Sequence, residues 1–407
     1  MPKQKILRVP HQLFEVNKKA YEPYVVSIGP YHRGKDHLKE MEEQKVRCLY
    51  RLLHWTNENV EIYLSAIKDM AKEARNCYSE PLDISEEEFL EMMVLDGCFI
   101  IQFLKDNLEN FCYSGLLSTS IWHDLALIEN QLPFFVLCQL LDRIPRTFFD
   151  SVGSTDPKRL FINAFLRAYE GKMPGLRVDT TYDADSMKNI NHIVHLLHSN
   201  WHPSNKATND ENPLEPEHKS WRYIRSATEL REAGIDFKVV KTKENEKSCL
   251  FDIKFEKGIL EMPKVTIEDD TESLYRNLIA WEQLANGSPA FLTQYVSVMD
   301  SLINSGKDVE LLCKKGIIDN WLGDDESVAV LFNRLRDHTT LYSRQFFYAG
   351  LFKDVNKHYG RTWNQWKAYL LHKYFNNPWA FISFLAATLL ILLTVLQTIF
   401  TILPRQH

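Results

Sequence analysis

Hydrophobic residues recur at helical spacing through most of the chain. Over residues 36–171 they lie three and four positions apart, which predicts five consecutive helices. The third helix begins with a capping box, in which Ser85 caps the helix and Glu88 lies three residues further on. The fourth covers residues 121–144 and contains Pro133, which forces a kink or a break because proline cannot donate a backbone hydrogen bond.

The pattern changes after residue 202. Residues 203–219 are polar and rich in proline, which predicts an exposed loop or linker. In residues 235–268 apolar and polar positions alternate, which predicts a small antiparallel β-insert, and helical spacing then returns. We therefore predict a mainly α fold, a multi-helix body with two helical regions, residues 1–202 and 220–375, the second carrying the β-insert.

The stretch from Trp379 to Leu403 has 25 residues and no charge, proline or glycine. As a helix it would be about 37 Å long, more than the ~30 Å hydrocarbon core of a bilayer. The alternative is a buried core helix, but a core helix of this length that is apolar on every face is rare. We therefore assign residues 377–403 to a transmembrane anchor.

The charges around this stretch predict its orientation. The first residues contain no apolar signal-peptide core, so the body is not expected to be exported. Positive residues, which favour the cytosolic side, are concentrated before the span, where they are Lys357, Arg361, Lys367 and Lys373. We expect a single-pass C-terminal anchor with a cytosolic body. The sequence does not decide between the plasma membrane and the endoplasmic reticulum.

One face of the predicted anchor carries small and polar residues. They recur at helical spacing and are Ser383, Ala387, Thr394, Gln397 and Thr401. Such a face can let two helices pack closely, which would give a homo-oligomer. The alternative, which we favour, is that the hydroxyl groups bond to carbonyls of their own helix.

Composition excludes several classes of function. The net charge of −6 gives no electrostatic support for nucleic-acid binding. The seven cysteines are scattered and contain no closely spaced pair, which is typical of reduced thiols in a cytosolic protein. The sequence contains no phosphate-binding loop, dinucleotide-binding, zinc-protease, serine-hydrolase or kinase motif, and we expect no cofactor.

Three acidic residues interrupt otherwise apolar helices and are the candidate catalytic residues: Asp96, Asp124 and Glu129. A buried carboxylate is costly unless it is paired, so each needs a partner. If their helices face each other, the carboxylates could form an acid–base pair or a metal site. The alternative, which we favour, is a structural hydrogen-bond network in which residues 129–131 satisfy backbone groups freed by Pro133.

Two further groups are candidates for binding. Histidines on neighbouring helical turns are possible metal ligands, and they are His192, His195, His198 and His202. A solvated helix face is the expected alternative. The turn at residues 27–34 could present backbone amides, His32 and Arg33 to an anion, or it could only pack Tyr31 against the first helices.

Several motifs resemble those of the plant family called domain of unknown function 247. They cover nearly the whole chain in order and comprise VSIGPYH (26–32), LALIENQLPFFVL (125–137), SATELREAGIDF (226–237), GILEMP (258–263), RNLIAWE (276–282), DVELLCKKGII (308–318) and the Pro378-Trp379 start of the anchor. The sequence departs from the family pattern at Arg33, where a second histidine is common, and at Trp281, where phenylalanine is common.

The resemblance implies a membrane-anchored plant protein without an assigned reaction; some members are proposed as determinants of self-incompatibility. Together with the anchor and the missing catalytic motifs, it favours a recognition or signalling module with protein partners. The alternative is an uncharacterised enzyme that uses the buried carboxylates, with or without a metal.

Overall fold

A computed structural model gives the fold of most of the chain. It describes residues 5–109, 115–145, 148, 156–178, 187–204, 222–240, 248–285, 289–341, 346–360 and 378–402, with side chains in the last range described from residue 382 to 399. The predicted linker at residues 203–219 lies outside these ranges except for its first two residues, and Leu403 also lies outside them.

The first half of the body is helical. Its helices are α1 (His11–Val16), α2 (Lys39–Thr56), α3 (Val60–Lys68), α4 (Ala71–Asn76), α5 (Glu86–Leu108), α6 (Gly115–Leu125), α7 (Phe134–Leu141), α8 (Pro157–Tyr169) and α9 (Ile193–Ser199). Helix α5 is the central one: it packs against α2, α3, α4, α7 and α8, and most of its side chains are buried. The predicted capping box of Ser85 and Glu88 starts it.

The break predicted at Pro133 is present. Helix α6 ends at Leu125, residues 126–133 form a loop, and Pro133 takes the cap position of α7. Proline suits this position because the first backbone N–H groups of a helix have no partner within it. The loop carries the polar run of residues 129–131 into the core.

The second half surrounds another buried helix. It contains α10 (Ala227–Glu232), α11 (Thr271–Leu284), α12 (Phe291–Leu302), α13 (Gly306–Lys314), α14 (Asp325–Leu335), α15 (Ala349–Tyr359) and the C-terminal α16 (Pro378–Ile402). Helix α11 contacts α9, α12, α14 and a short 3-10 helix at Lys18–Tyr21, and so joins both halves. The apolar core that results is continuous from Ile6 to Val355.

Five short strands form two small sheets in the described residues. Strands β1 (Asp236–Val239), β2 (Lys254–Glu256) and β3 (Ile259–Met262) form the first, and β4 (Val265–Ile267) and β5 (Ile318–Asn320) form the second. Strand β3 is central, antiparallel to β2 but parallel to β1, with Asp236 opposite Ile259. Strands β4 and β5 are also parallel, with Val265 opposite Ile318.

The mainly helical fold with a small β-insert and a long C-terminal apolar helix is confirmed. The prediction that the insert is purely antiparallel is wrong, since only β2 and β3 run in opposite directions. Alternation of apolar and polar residues identifies a strand but carries no information on the direction of its neighbour.

Two glycines near the N-terminus test how tightly this region is packed. Gly29 and Gly34 both have positive φ, 73° and 85°. A Cβ atom on Gly29 would lie 2.6 Å from the carbonyl oxygen of Gln131, whereas a Cβ on Gly34 would meet nothing within 4 Å. The two positions therefore share the backbone conformation but differ in the space around them.

We expect Gly34→Ala to lower the unfolding free energy by about 1 kcal/mol, the cost of a left-handed alanine. Gly29→Ala should cost about 2 kcal/mol more because the backbone must also move. Denaturant unfolding of the full-length protein in detergent measures both. Equal losses for the two variants would contradict the close contact between Gly29 and Gln131.

Candidate functional site

Residues 24–29 form an irregular segment that enters the core and is held by side chains instead of a neighbouring strand. The carboxylate of Asp124, at the end of α6, accepts hydrogen bonds from the backbone N–H groups of Tyr24, Val25 and Val26 at 2.7, 2.8 and 2.9 Å. Asp124 is completely buried. Three amide donors replace the water that this carboxylate loses, so its burial is compensated.

Two other side chains continue the same pattern along the segment. The side-chain oxygen of Asn130 accepts from the Ile28 N–H at 2.6 Å, and its amide group donates to the Val26 carbonyl at 3.0 Å. The carboxylate of Asp96, in α5, accepts from the Gly29 N–H at 2.8 Å. The segment VSIG is thus bound by residues that lie 67 to 104 positions away in sequence.

A buried lysine completes the contact with Asp96. The Lys45 ammonium lies 2.6 Å from Asp96, 2.6 Å from Glu42 and 2.5 Å from the Ser27 carbonyl oxygen. Lys45 and Asp96 are each only 1% exposed. Burial raises the pKa of Asp96, and the charge of Lys45 opposes that rise. The Lys45–Asp96 pair therefore fixes α2, α5 and residues 24–29 relative to one another.

Glu129 binds the chain further towards its N-terminus. It accepts from the Val9 N–H at 2.7 Å and from the Arg8 guanidinium at 2.8 Å. Arg8 also lies over the ring of Tyr31, 4.1 Å from its centre. The three candidate catalytic residues therefore each bind backbone amides of the N-terminal segment, residues 8–29. Two of them, Asp96 and Glu129, also bind a cation.

The neighbouring polar residues of the α6–α7 loop support the loop itself. Gln131 donates to the carbonyls of Leu125 and Leu127 at 2.9 and 2.8 Å. The Ile128 N–H donates to the side chain of Asn277 in α11 at 2.9 Å. The loop thus links the first half of the body to the helix at the centre of the second.

Next to Asp124 lies a hydrogen-bond chain that sequence reasoning missed. His123 contacts Asp124 through Nδ1 at 2.9 Å and Ser273 Oγ through Nε2 at 2.8 Å. This is the order of a serine-hydrolase triad. However, the Ser273 hydroxyl donates to the carbonyl of Ala20 at 2.7 Å, and the ring of Tyr24 stacks on the imidazole at 3.9 Å. Ser273 is also only 5% exposed, so this structure does not present its hydroxyl to a substrate.

The histidines near α9 each bind a different partner. His195 accepts from the Asn191 N–H at 3.1 Å, His198 binds Glu282 at 3.0 Å, and His202 contacts the Pro203 carbonyl. Across the described ranges, no three His, Cys, Asp or Glu side chains are placed to hold a metal ion.

The expected solvated helix face is wrong, because His192 and His198 are buried. The spacing of the histidines predicts one helix face, and in the structure His192 and His198 of that face pack inwards. There Trp281 of α11 lies 4.6 Å from the ring of His192.

His32 is a buried histidine in the turn at residues 27–34. It is 3% exposed, and within the described part of the chain neither ring nitrogen has a hydrogen-bond partner. Its Nε2 lies 3.8 Å from a Glu129 oxygen, too far for a hydrogen bond. Burial, together with the smaller effect of the charges of Lys35, Arg8 and His37, lowers the pKa of His32 to about 3.

Two backbone amides of the predicted anion-binding turn are already bonded to side chains. The Ile28 and Gly29 N–H groups are taken by Asn130 and Asp96, and Arg33 is exposed at the surface. Of the two side chains predicted to bind an anion, His32 is therefore buried and Arg33 is exposed.

Helix α16 is the other candidate site. Among the described residues it is long and apolar enough to span a bilayer over Ile382–Ile399, and none of that window is buried against the body. The hydroxyls of Thr388, Thr394 and Thr398 donate to carbonyls four residues earlier, at 2.7 to 2.8 Å. These threonines therefore satisfy their polar groups within their own helix, as expected for Thr394.

The network predicts a large effect of a small change at Asp124. Asp124→Asn keeps the shape but puts an NH2 group opposite backbone N–H donors, so we expect the unfolding free energy to fall by about 3–5 kcal/mol. Denaturant unfolding of full-length protein measures the loss. Asp36→Asn is the matched control, since that side chain is 93% exposed and should leave stability unchanged. A stable Asp124 variant would contradict the structural role of this carboxylate.

His32 predicts a loss of stability in acid. The folded protein holds this side chain neutral down to about pH 3, while the unfolded chain binds the proton below pH 6.5. The unfolding free energy should therefore fall as pH drops from 6.5, at up to about 1.4 kcal/mol per pH unit for this one proton.

His32→Phe should remove that part of the slope when unfolding is measured between pH 6 and pH 4. His11→Gln, at a side chain that is 84% exposed, should leave the slope unchanged. An unaltered slope in the His32 variant would show that this imidazole takes up its proton in the folded state.

Comparison with known proteins agrees with the motifs. The chain matches a family model described as plant protein of unknown function, domain of unknown function 247, over residues 6–393. UPF0481 protein At3g47200 of Arabidopsis thaliana is 31% identical over 98% of this chain and 86% of its own length. Putative UPF0481 protein At3g02645 of the same plant is 24% identical over 96% of this chain and 89% of its own.

No solved structure matches the chain significantly. Two of the segments that the family motifs single out, VSIGPYH and LALIENQLPFFVL, are joined in this structure by the side chain of Asn130, which bonds to Val26 and Ile28. Because the family model covers nearly all of its 407 residues, the chain belongs to the plant family called domain of unknown function 247.

Proposed function

We propose that the protein is a single-pass membrane protein whose body lies in the cytosol and recognises protein partners at the membrane surface. The observation that supports this most directly is α16, whose large apolar side chains are exposed on every face between Ile382 and Ile399. Exposed apolar surface of this extent is unfavourable in water and favourable in lipid.

The charges near the anchor support a cytosolic body. Lys357 lies in the last turn of α15, and Arg361, Lys367 and Lys373 follow it in the sequence before the span. Loops rich in lysine and arginine stay on the cytosolic side of a membrane. A body held there would meet partners that share the same membrane.

A recognition role is also favoured because the three buried carboxylates are already hydrogen-bonded. An enzyme that used Asp96, Asp124 or Glu129 would first have to free these carboxylates from backbone amides and, for two of them, from a cation. Each release would leave unpaired groups in the core, at a cost of several kcal/mol. The enzyme alternative therefore has less support.

The anchor is proposed to function as a single helix. The predicted small-residue face consists of Ser383, Ala387, Thr394, Gln397 and Thr401. The Thr394 hydroxyl of this face already donates to a carbonyl of its own helix, so it does not favour association with a second helix. Self-association of the full-length protein in lipid, lost on replacing Gln397 by leucine, would contradict this part of the proposal.

Two arginines in the anchor should abolish membrane insertion. Leu390→Arg with Leu393→Arg adds about 3 kcal/mol per residue at the centre of the span. We expect the wild-type protein to stay in the membrane pellet after extraction at alkaline pH, and the double variant to be released. Leu390→Ile with Leu393→Ile is the matched control and should behave as wild type.

The orientation of the protein in the membrane can be measured on the same preparation of membranes. A glycosylation acceptor added after His407 should be modified if the C-terminus reaches the lumen, while the body should remain accessible to protease in intact vesicles. Release of the wild-type protein by alkaline extraction, or protection of the body from protease, would contradict the proposal.

A further inference from the structure

Two loops of the second half meet because β4 and β5 are parallel. The register pairs Ile267 with Asn320, and the Trp321 N–H donates to the Ile267 carbonyl at 3.0 Å. Both strands therefore end at the same edge, and each is followed by a loop and a helix, α11 after β4 and α14 after β5. A cleft of about 330 Å³ lies between these two loops and one face of α14.

The floor of the cleft and its margin are apolar. Leu322, Val330 and Leu331 line it, and Trp321 immediately precedes Leu322 in the chain. Trp321 is 68% exposed and Val330 45% exposed. Trp321 follows β5 and Val330 lies on α14, so two apolar side chains from neighbouring elements are open to solvent in this part of the body. An exposed tryptophan beside an apolar cleft is a usual feature of protein-binding surfaces.

The rim of the cleft is acidic. It carries five carboxylates against a single guanidinium, that of Arg334, and the five belong to Glu268, Asp269, Glu272, Asp324 and Glu326. Glu272 is paired with Arg276, whereas Asp324 and Glu326 accept only backbone N–H and hydroxyl groups. Within the described part of the chain, Glu268 and Asp269 have no ion pair. The rim therefore keeps most of its negative charge.

We propose that this cleft, lined by Leu322, Val330 and Leu331, docks a basic amphipathic segment of a partner protein. Apolar side chains of the segment enter the cleft beside Trp321, and its lysine or arginine side chains meet the rim. Charge complementarity selects the occupant, because an acidic or neutral segment would leave the rim carboxylates facing an apolar surface without counter-charge. The inference rests on the proposed recognition role and names the chemistry of the partner.

A synthetic peptide can test this on the full-length protein in zwitterionic lipid nanodiscs. The probe is a fluorescein-labelled peptide of lysine and leucine at helical spacing, and the matched peptide carries glutamate in place of lysine. We expect saturable binding of the basic peptide by anisotropy, above that to empty nanodiscs, and none of the acidic peptide. Binding should weaken as salt is raised.

Two variants locate the binding. Glu268→Gln with Asp269→Asn should weaken the basic peptide about tenfold, since two rim charges are lost. Val330→Arg should reduce it at least as much by placing a cation in the cleft. Glu86→Gln with Glu87→Gln removes the same charge from the exposed first turn of α5 and should leave affinity unchanged.

Equal weakening by the control pair would overturn the proposal, because net charge alone would then explain binding. Absence of saturable binding to wild type would overturn it as well. Neither outcome affects membrane anchoring, which alkaline extraction of the same variants measures separately. A failed docking surface is thereby distinguished from a failed anchor.

Discussion

The architecture depends on the burial of three carboxylates that have lost their water and regained hydrogen bonds from the backbone. Asp124, Asp96 and Glu129 each accept from N–H groups of the N-terminal segment, and Lys45 and Arg8 supply the counter-charges. Residues 24–29 have no neighbouring strand to satisfy their amides, and an unpaired buried amide is costly. The carboxylates take the place of that strand, and so they join α2, α5, α6 and the N-terminus into one unit.

Local features of this fold could be predicted from sequence because their causes are local. The capping box at Ser85, the break at Pro133 and the apolar C-terminal helix each depend on residues within a few positions of one another. The sequence also indicated that Asp96, Asp124 and Glu129 need partners. It could not name them, because those partners lie 51 to 121 residues away and are largely backbone amides, which every residue carries.

The predictions that were wrong also concerned contacts between residues that are distant in sequence. The direction of β1 relative to β3 depends on the path of the chain between them and not on the alternation of side chains. The histidine face near α9 has the periodicity of a solvated face, yet it packs against Trp281 because α11 runs beside it. Ser273 gave no signal at all, since its relation to His123 exists only once residues 150 positions apart are brought together.

In the proposed function, α16 holds the protein at the membrane and the body recognises partners. The three buried carboxylates hold the fold together, while α16 and the cleft lined by Leu322, Val330 and Leu331 are open to solvent. The central claim is that residues 24–29 are locked by side chains, and hydrogen exchange of the full-length protein tests it most directly. The account predicts that the amides of Tyr24, Val25, Val26, Ile28 and Gly29 exchange as slowly as those of α5, only on global unfolding. Exchange of these amides within seconds, while α5 stays protected, would contradict it.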